Sequence, residues 1–275
     1  MTIHSPSSTV AFMENPLVWW LYRVEGWVPR LVTRREVGLI AGGGFAAGMA
    51  AYYKGAIIED ALEITKLELV TRLAEYANQP WHDDVADLQE TLPAMVCRAV
   101  GKYIEKDPLG EDMKVLGVEI YREDYDCKMD LELDTPLGLA FLDFKFSLRM
   151  DYKYVEQRLA ETAYSWQFMH YAWAISQVYD RPCTQAYVCL VVADPFKIHL
   201  RPYPVSDELV ALWYTSADSV WRVMDGVLAG TYKPWCPFKF YGRFGKDAYA
   251  EAVLSHRLHP HLMTSDYVQR GKETL

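Results

Sequence analysis

The spacing of hydrophobic positions changes period along this chain. From Pro16 to about Ile104 it is helical. Pro16-Leu17-Val18-Trp19-Trp20-Leu21-Tyr22 predicts a short, strongly apolar helix. Between Gly55 and Tyr76, Ile57, Ile58, Ala61, Leu62, Leu67, Leu69 and Leu73 are separated by charges, as an amphipathic helix requires. Pro80-Trp81-His82-Asp83-Asp84 is a break followed by a capped start, and a third helix is expected to run to about Tyr103. Lys106 to Asp112, with Pro108 and Gly110, reads as a loop. Beyond it the period shortens. Val115–Arg122, Lys128–Asp134 and Leu139–Lys145 predict strands, with a turn at Thr135-Pro136-Leu137-Gly138. One long helix is expected over Val155–Tyr179, then strands over Ala186–Ala193 and Lys197–Tyr203, then a helix over Asp207–Leu228.

That order predicts a single α/β domain over residues 1–275: a mixed central sheet flanked by helices, with an N-terminal helical cap. Residues 1–105 form the mainly helical part, 115–230 the α/β core and 231–275 a C-terminal arm. Val37–Tyr53 is uncharged and carries Gly38, Gly42, Gly43, Gly44 and Gly48. A membrane-spanning helix needs roughly 20 mainly apolar residues. This run is short and rich in glycine, so a buried helix permitting close backbone approach is expected instead, and no membrane partner.

Composition narrows the class further. The chain has 275 residues, 51% hydrophobic and 24% charged, which is globular rather than disordered. The five cysteines, Cys97, Cys127, Cys183, Cys189 and Cys236, form no Cys-x-x-Cys pair, and the first ten residues lack an apolar signal core. Reduced thiols and a cytoplasmic location are expected. The net charge of −9 argues against a non-specific nucleic-acid coat, which would be basic.

The candidate chemistry lies between Glu119 and Tyr171. Asp130 is expected in the second strand and Asp143 in the third, with Lys145 two residues on. A hairpin turning at Pro136–Gly138 sets these strands side by side. Period-two geometry then puts Asp143 and Lys145 on one face. The third strand is otherwise apolar, so its charges carry a desolvation cost unless paired or bound to metal. A hard divalent cation between two carboxylates supplies that compensation and keeps places for phosphate and water. A lysine beside it can position or deprotonate the water.

This arrangement resembles the PD-(D/E)XK nuclease superfamily, in particular its RecB-like exonucleases and CRISPR-associated relatives, whose core is restriction-endonuclease-like. The likeness spans most of the chain. Ser7-Ser8 to Trp20 is similar to the family's opening helix, and Gly42–Gly55 to its first core helix. Glu119, Asp130, Asp143 and Lys145 fall on its active-site pattern, and Gln167 and Tyr171 on its Gln-x-x-x-Tyr helix. The resemblance implies a metal-dependent DNA nuclease, an exonuclease, with Asp130, Asp143 and Glu119 holding Mg²⁺ or Mn²⁺ and Lys145 activating water. Gln167 and Tyr171 would line the site, and Arg149 and Lys153 would contact phosphates. A non-catalytic DNA-binding subunit and a site-specific endonuclease are the alternatives.

Two departures qualify the resemblance. Relatives often carry a metal-binding His in the first core helix, where Ala46 stands here. Some relatives hold an iron–sulfur cluster, which needs four cysteine ligands. Here Asn15 precedes Pro16 and Cys236 is alone in its region, so no cluster is expected. In Lys233–Lys246 four basic residues interleave with Trp235, Phe238, Phe240, Tyr241 and Phe244. This stretch could hold a single strand by charge and stacking, or pack its aromatics onto the core. From Arg122 to Arg158 the chain is itself acidic, so DNA engagement should depend on divalent metal and on salt.

Overall fold

A computed structural model describes residues 2–24, 26–29, 34–77, 85–233, 241–242, 245–246 and 267–269. Much of the basic-aromatic run after Lys233 lies outside these residues, as do Cys236 and His82. In chain order come helices α1 (Pro6–Glu14) and α2 (Pro16–Trp19), a π-helical turn at Trp20–Val24, and strand β1 (Trp27–Pro29). Then follow α3 (Arg34–Tyr53), α4 (Ile58–Ala77), α5 (Val85–Lys106), β2 (Lys114–Val118), β3 (Tyr121–Arg122), β4 (Cys127–Lys128), β5 (Leu131–Thr135) and β6 (Gly138–Ser147). Next are α6 (Val155–Ala163), α7 (Trp166–Tyr179), β7 (Cys183–Val192), β8 (Lys197–Pro204) and α8 (Asp207–Leu228). Short strands β9 (Tyr241–Gly242), β10 (Gly245–Lys246) and β11 (Tyr267–Gln269) close the order.

The chain folds as two compact units, residues 1–31 with 215–275, and residues 32–214. In the first, Ser5 caps α1, and the Trp221 indole N–H donates to Thr9 Oγ1 at 3.0 Å. His4 Nε2 lies 3.0 Å from the Asp225 carboxylate, and β1 pairs antiparallel with β11.

The second unit carries the five-stranded sheet, in the order β2-β5-β6-β7-β8. All its neighbours are antiparallel except β6 and β7, which are parallel. This is the expected mixed sheet flanked by helices. Parallel pairing needs a crossover, and α6 and α7 supply it. One sheet face is apolar: Leu131, Leu133, Ala140, Leu142, Cys189 and Val191 pack with Phe45, Met49 and Tyr103 from α3 and α5. The approach of α3 to α4 is close because α3 lacks side chains there. A Cβ on Gly44 would stand 2.4 Å from Leu69 Cγ, and one on Gly48 2.1 Å from Thr65 Oγ1. The uncharged run of α3 buries one face, with Ile40, Ala41, Phe45 and Met49 inside, while Leu39 is exposed, and no described helix is long and apolar enough to cross a membrane.

Three expected elements are broken. The first strand stops at Val118 because Glu119 is left-handed, with φ +54°. The second is split, and Asp130 precedes β5 rather than lying in it. Its main chain turns aside there: its carbonyl accepts the Glu119 N–H at 3.0 Å, and its carboxylate takes the Phe144 N–H at 2.6 Å. The long helix after β6 divides at Tyr164–Ser165, where Ser165 Oγ caps α7 by accepting from Phe168 N–H. A favourable N-cap supplies partners for exposed amides and so competes with helix continuation.

Candidate active site

The β5–β6 register pairs Leu131 with Leu142, so the next pair outward is Asp130 and Asp143. Their meeting is a consequence of the tight turn, in which Gly138 adopts φ +114°. Along β6, Phe141, Asp143 and Lys145 share the face opposite to Ala140, Leu142, Phe144 and Phe146. Phe141 packs edge-on against Phe168 and Tyr171 of α7, with ring centroids 5.0 and 5.6 Å away. That contact fixes α7 over this face.

Asp143 is only 3% exposed. Lys145 Nζ stands 2.6 Å from its Oδ2, yet Oδ2 has no hydrogen bond of proper angle. The contact is ionic and leaves the oxygen's directed valence unfilled. The Asp130 carboxyl is pushed well above the usual carboxylate range, first by burial and then by the Asp143 charge; the Phe144 N–H and Lys145 pull the other way. Two carboxylates therefore face one another with one lysine paired to Asp143 and too little compensating charge. Tyr171 lies nearby. Burial and the Asp143 charge raise its pKa well beyond the ordinary phenol value, and Gln167 Nε2 donates to its hydroxyl at 2.7 Å.

The carboxylate pair suits a hard cation. It offers oxygen donors, an unsatisfied Asp143 Oδ2, and a carboxyl whose pKa is raised by burial and by the neighbouring Asp143 charge. Among the described residues no group of three or more His, Cys, Asp or Glu side chains gathers as a metal site. Glu119 is engaged by Lys128, although its charge still reaches Asp130. Ala46 offers no donor atom; its neighbour Phe45 stacks on Phe146 with centroids 4.8 Å apart.

The structure does not bring every expected residue to the pair. Arg149, 81% exposed at its side chain, bridges to Asp194 at 3.0 Å, and Lys153 to Asp151 at 3.4 Å. Both follow β6 on the surface rather than sharing the buried site.

Sequence reasoning missed the residues that hold Asp130 in place. Glu132 is 1% exposed and accepts from Arg122 Nε and Nη2, at 2.9 and 2.6 Å, and from the Tyr179 hydroxyl at 2.8 Å. It fits because β2 has Gly117 opposite, where a Cβ would stand 2.7 Å from Glu132 Oε2. His170 Nε2 donates to the Tyr125 carbonyl at 2.7 Å. Burial lowers its pKa to about 4, so the ring is neutral. Together these bonds hold the Glu119–Asp130 excursion against β5 and α7. The signal was present: Asp130, Glu132 and Asp134 alternate on one face. That pattern normally marks a solvated face, and Glu132's partners are distant in sequence.

A family model described as the PD-(D/E)XK nuclease superfamily matches residues 4–243. No curated protein matches the chain. A solved structure from Eubacterium rectale, described as a "Putative exonuclease", is similar at a TM-score of 0.45 and 12% identity, over 85% of this chain and 84% of that one. The family match takes in the whole sheet, the hairpin and the Asp130–Asp143–Lys145 constellation, and the chain belongs to the PD-(D/E)XK nuclease superfamily, with its restriction-endonuclease-like α/β fold.

Proposed function

We propose that this protein is a metal-dependent DNA nuclease that hydrolyses phosphodiester bonds, acting as an exonuclease. The carrying observation is the facing of half-buried Asp130 and buried Asp143, with Lys145 Nζ 2.6 Å from Asp143. Asp130 and Asp143 would hold Mg²⁺ or Mn²⁺. When bound, such an ion polarises a phosphoryl oxygen and lowers the pKa of coordinated water. The Phe144 N–H orients Asp130 by a 2.6 Å hydrogen bond, so that carboxylate is set before any ligand arrives. Lys145 donates to the attacking water and offsets charge that builds on the phosphate. Gln167, which donates to the Tyr171 hydroxyl, and Tyr171 would line the site on the α7 side. Glu119 adds negative charge beside Asp130. Arg149 and Lys153 would guide the phosphate backbone across the surface after β6. The exonuclease reading rests on the resemblance to RecB-like nucleases.

The test is cleavage of end-labelled single-stranded and duplex DNA in Mg²⁺ and in Mn²⁺. Wild type should degrade linear DNA, chelation should stop it, and Lys145→Ala should lower the rate by roughly 10²-fold or more. Wild-type rates from Lys145→Ala would refute the role of the lysine. Sparing of a closed circle whose linear form is degraded marks an exonuclease; its cutting marks an endonuclease.

Ala46 favours a second reading, a DNA-binding subunit without catalysis on the same fold. DNA binding without cleavage in either metal would establish that reading over the first.

A further inference from the structure

The sheet face that carries Asp143 and Lys145 continues onto β8. Register places Lys145, Leu190 and His199 in one row, and Ser147, Val192 and Lys197 in the next. Residues on β8 thus lie two strand spacings from β6, about 10 Å away on the same face. A cleft of about 120 Å³ opens there, with Tyr152, Lys197 and His199 around an apolar lining of Met150, Val155 and Val192. Sites for drug-sized ligands run to roughly 300–1,000 Å³. This cleft has room for one planar ring rather than a whole cofactor.

Its chemistry is that of a base-stacking seat. Tyr152 is 67% exposed, and Lys197 Nζ stands 5.4 Å from its ring centroid. Tyr154, 52% exposed, has Lys153 Nζ 4.9 Å from its ring. Exposed rings with cations beside them provide stacking surface and phosphate affinity together. His199 Nε2 is buried with no hydrogen-bond partner. Burial, then the charges of Arg201 and Lys197, lowers the His199 pKa. A neutral imidazole carries one donor and one acceptor nitrogen, and a base edge would supply the missing bond. Charge points the same way. Residues 149–158 and 194–201 carry five cations against three carboxylates, in a chain of net charge −9.

We propose that this cleft seats one unpaired base of a single DNA strand, with Tyr152 stacking on the base, His199 meeting its edge and Lys197 holding an adjoining phosphate. A base in a duplex has both faces stacked and its pairing edge occupied, so it cannot enter. The inference rests on the nuclease reading and gives it a strand preference: the substrate is single-stranded, or frayed, beside the Asp143–Lys145 site.

The test is fluorescence anisotropy of the full chain with a short labelled DNA single strand, its blunt duplex and the matching RNA strand, in Ca²⁺. The single strand should bind more tightly than the duplex. Tyr152→Ala should weaken single-strand binding roughly tenfold, while leaving duplex binding and the melting temperature unchanged. Tyr152→Phe should restore binding, since the ring rather than the hydroxyl is needed. Lys197→Ala should weaken single-strand binding and flatten its salt dependence. Equal or tighter duplex binding would overturn the proposal, as would Tyr152→Ala binding like wild type. Tighter binding of the RNA strand would overturn the assignment to DNA. Wild type that binds the single strand but cleaves no DNA in Mg²⁺ or Mn²⁺ would refute the nuclease reading and support the seat.

Discussion

The two faces of the five-stranded sheet use the same strands for opposite ends. On one, Leu131, Leu133, Ala140 and Leu142 meet Phe45, Met49 and Tyr103. On the other, Glu132 of β5 and Asp143 and Lys145 of β6 alternate with them, and Asp130 stands just before β5. The first face gains stability from buried apolar area, without directed bonds. The second buries charge, at a cost that only specific partners offset. Glu132 has those partners in Arg122 and Tyr179. Asp130 and Asp143 do not have enough of them. The apolar face therefore supports an anchored but undercompensated carboxylate pair, the kind of imbalance that marks a functional site.

The largest effect should separate the carboxylate pair from everything else. Asp143→Asn removes one of two facing carboxylates and should lower metal-dependent cleavage by roughly 10²–10³-fold or more. Its melting temperature without metal should hold or rise, because a like-charge contact is gone. A large drop in that temperature would contradict the undercompensated pair.

Next come two neighbours on opposite faces. Glu132→Ala leaves Arg122 without its buried partner and should cost about 3–5 kcal/mol by denaturant unfolding. Leu133→Ala should cost about 2–5 kcal/mol through its cavity. They should differ in cleavage by the folded protein. Leu133→Ala should keep the wild-type rate, whereas Glu132→Ala should lose rate because the Glu119–Asp130 excursion is released. Equal rates in the two variants would show that the excursion is positioned by other contacts.

The smallest effect is a titration. The folded-state pKa of Asp130 is raised above its unfolded value of about 3.9. Its contribution is therefore fully present at acid pH and is lost as pH rises from that value through the raised one. Metal-free protein should lose this increment on going from acid to neutral pH, and bound Mn²⁺ should restore it. At pH values inside that window Mn²⁺ binding should release a proton. Calorimetry in buffers of different ionisation enthalpy measures the release, and its absence would show that Asp130 is already ionised.

How much of this was legible depended on whether partners were near in sequence. The hairpin was legible because turn residues and period-two spacing are local, and they place Asp143 with Lys145 and opposite Asp130. The bounds of α8, Asp207–Leu228, follow from the pattern alone. The break at Glu119 was hidden because nothing about a glutamate announces a left-handed backbone. The division at Ser165 was hidden because the apolar pattern continues across it while a serine cap ends the helix. Glu132 looked solvated because Arg122 and Tyr179 reach it through tertiary contacts. The seat around Tyr152 and His199 needed the β7–β8 register, which no local pattern specifies.

Asp130 and Asp143 together are proposed to hold the catalytic cation. A crystal soaked in Mn²⁺ and measured for anomalous scattering tests this most directly. One anomalous peak shared by both carboxylates is expected, absent from Asp143→Asn. No peak at the pair, or an unchanged peak in Asp143→Asn, would contradict it.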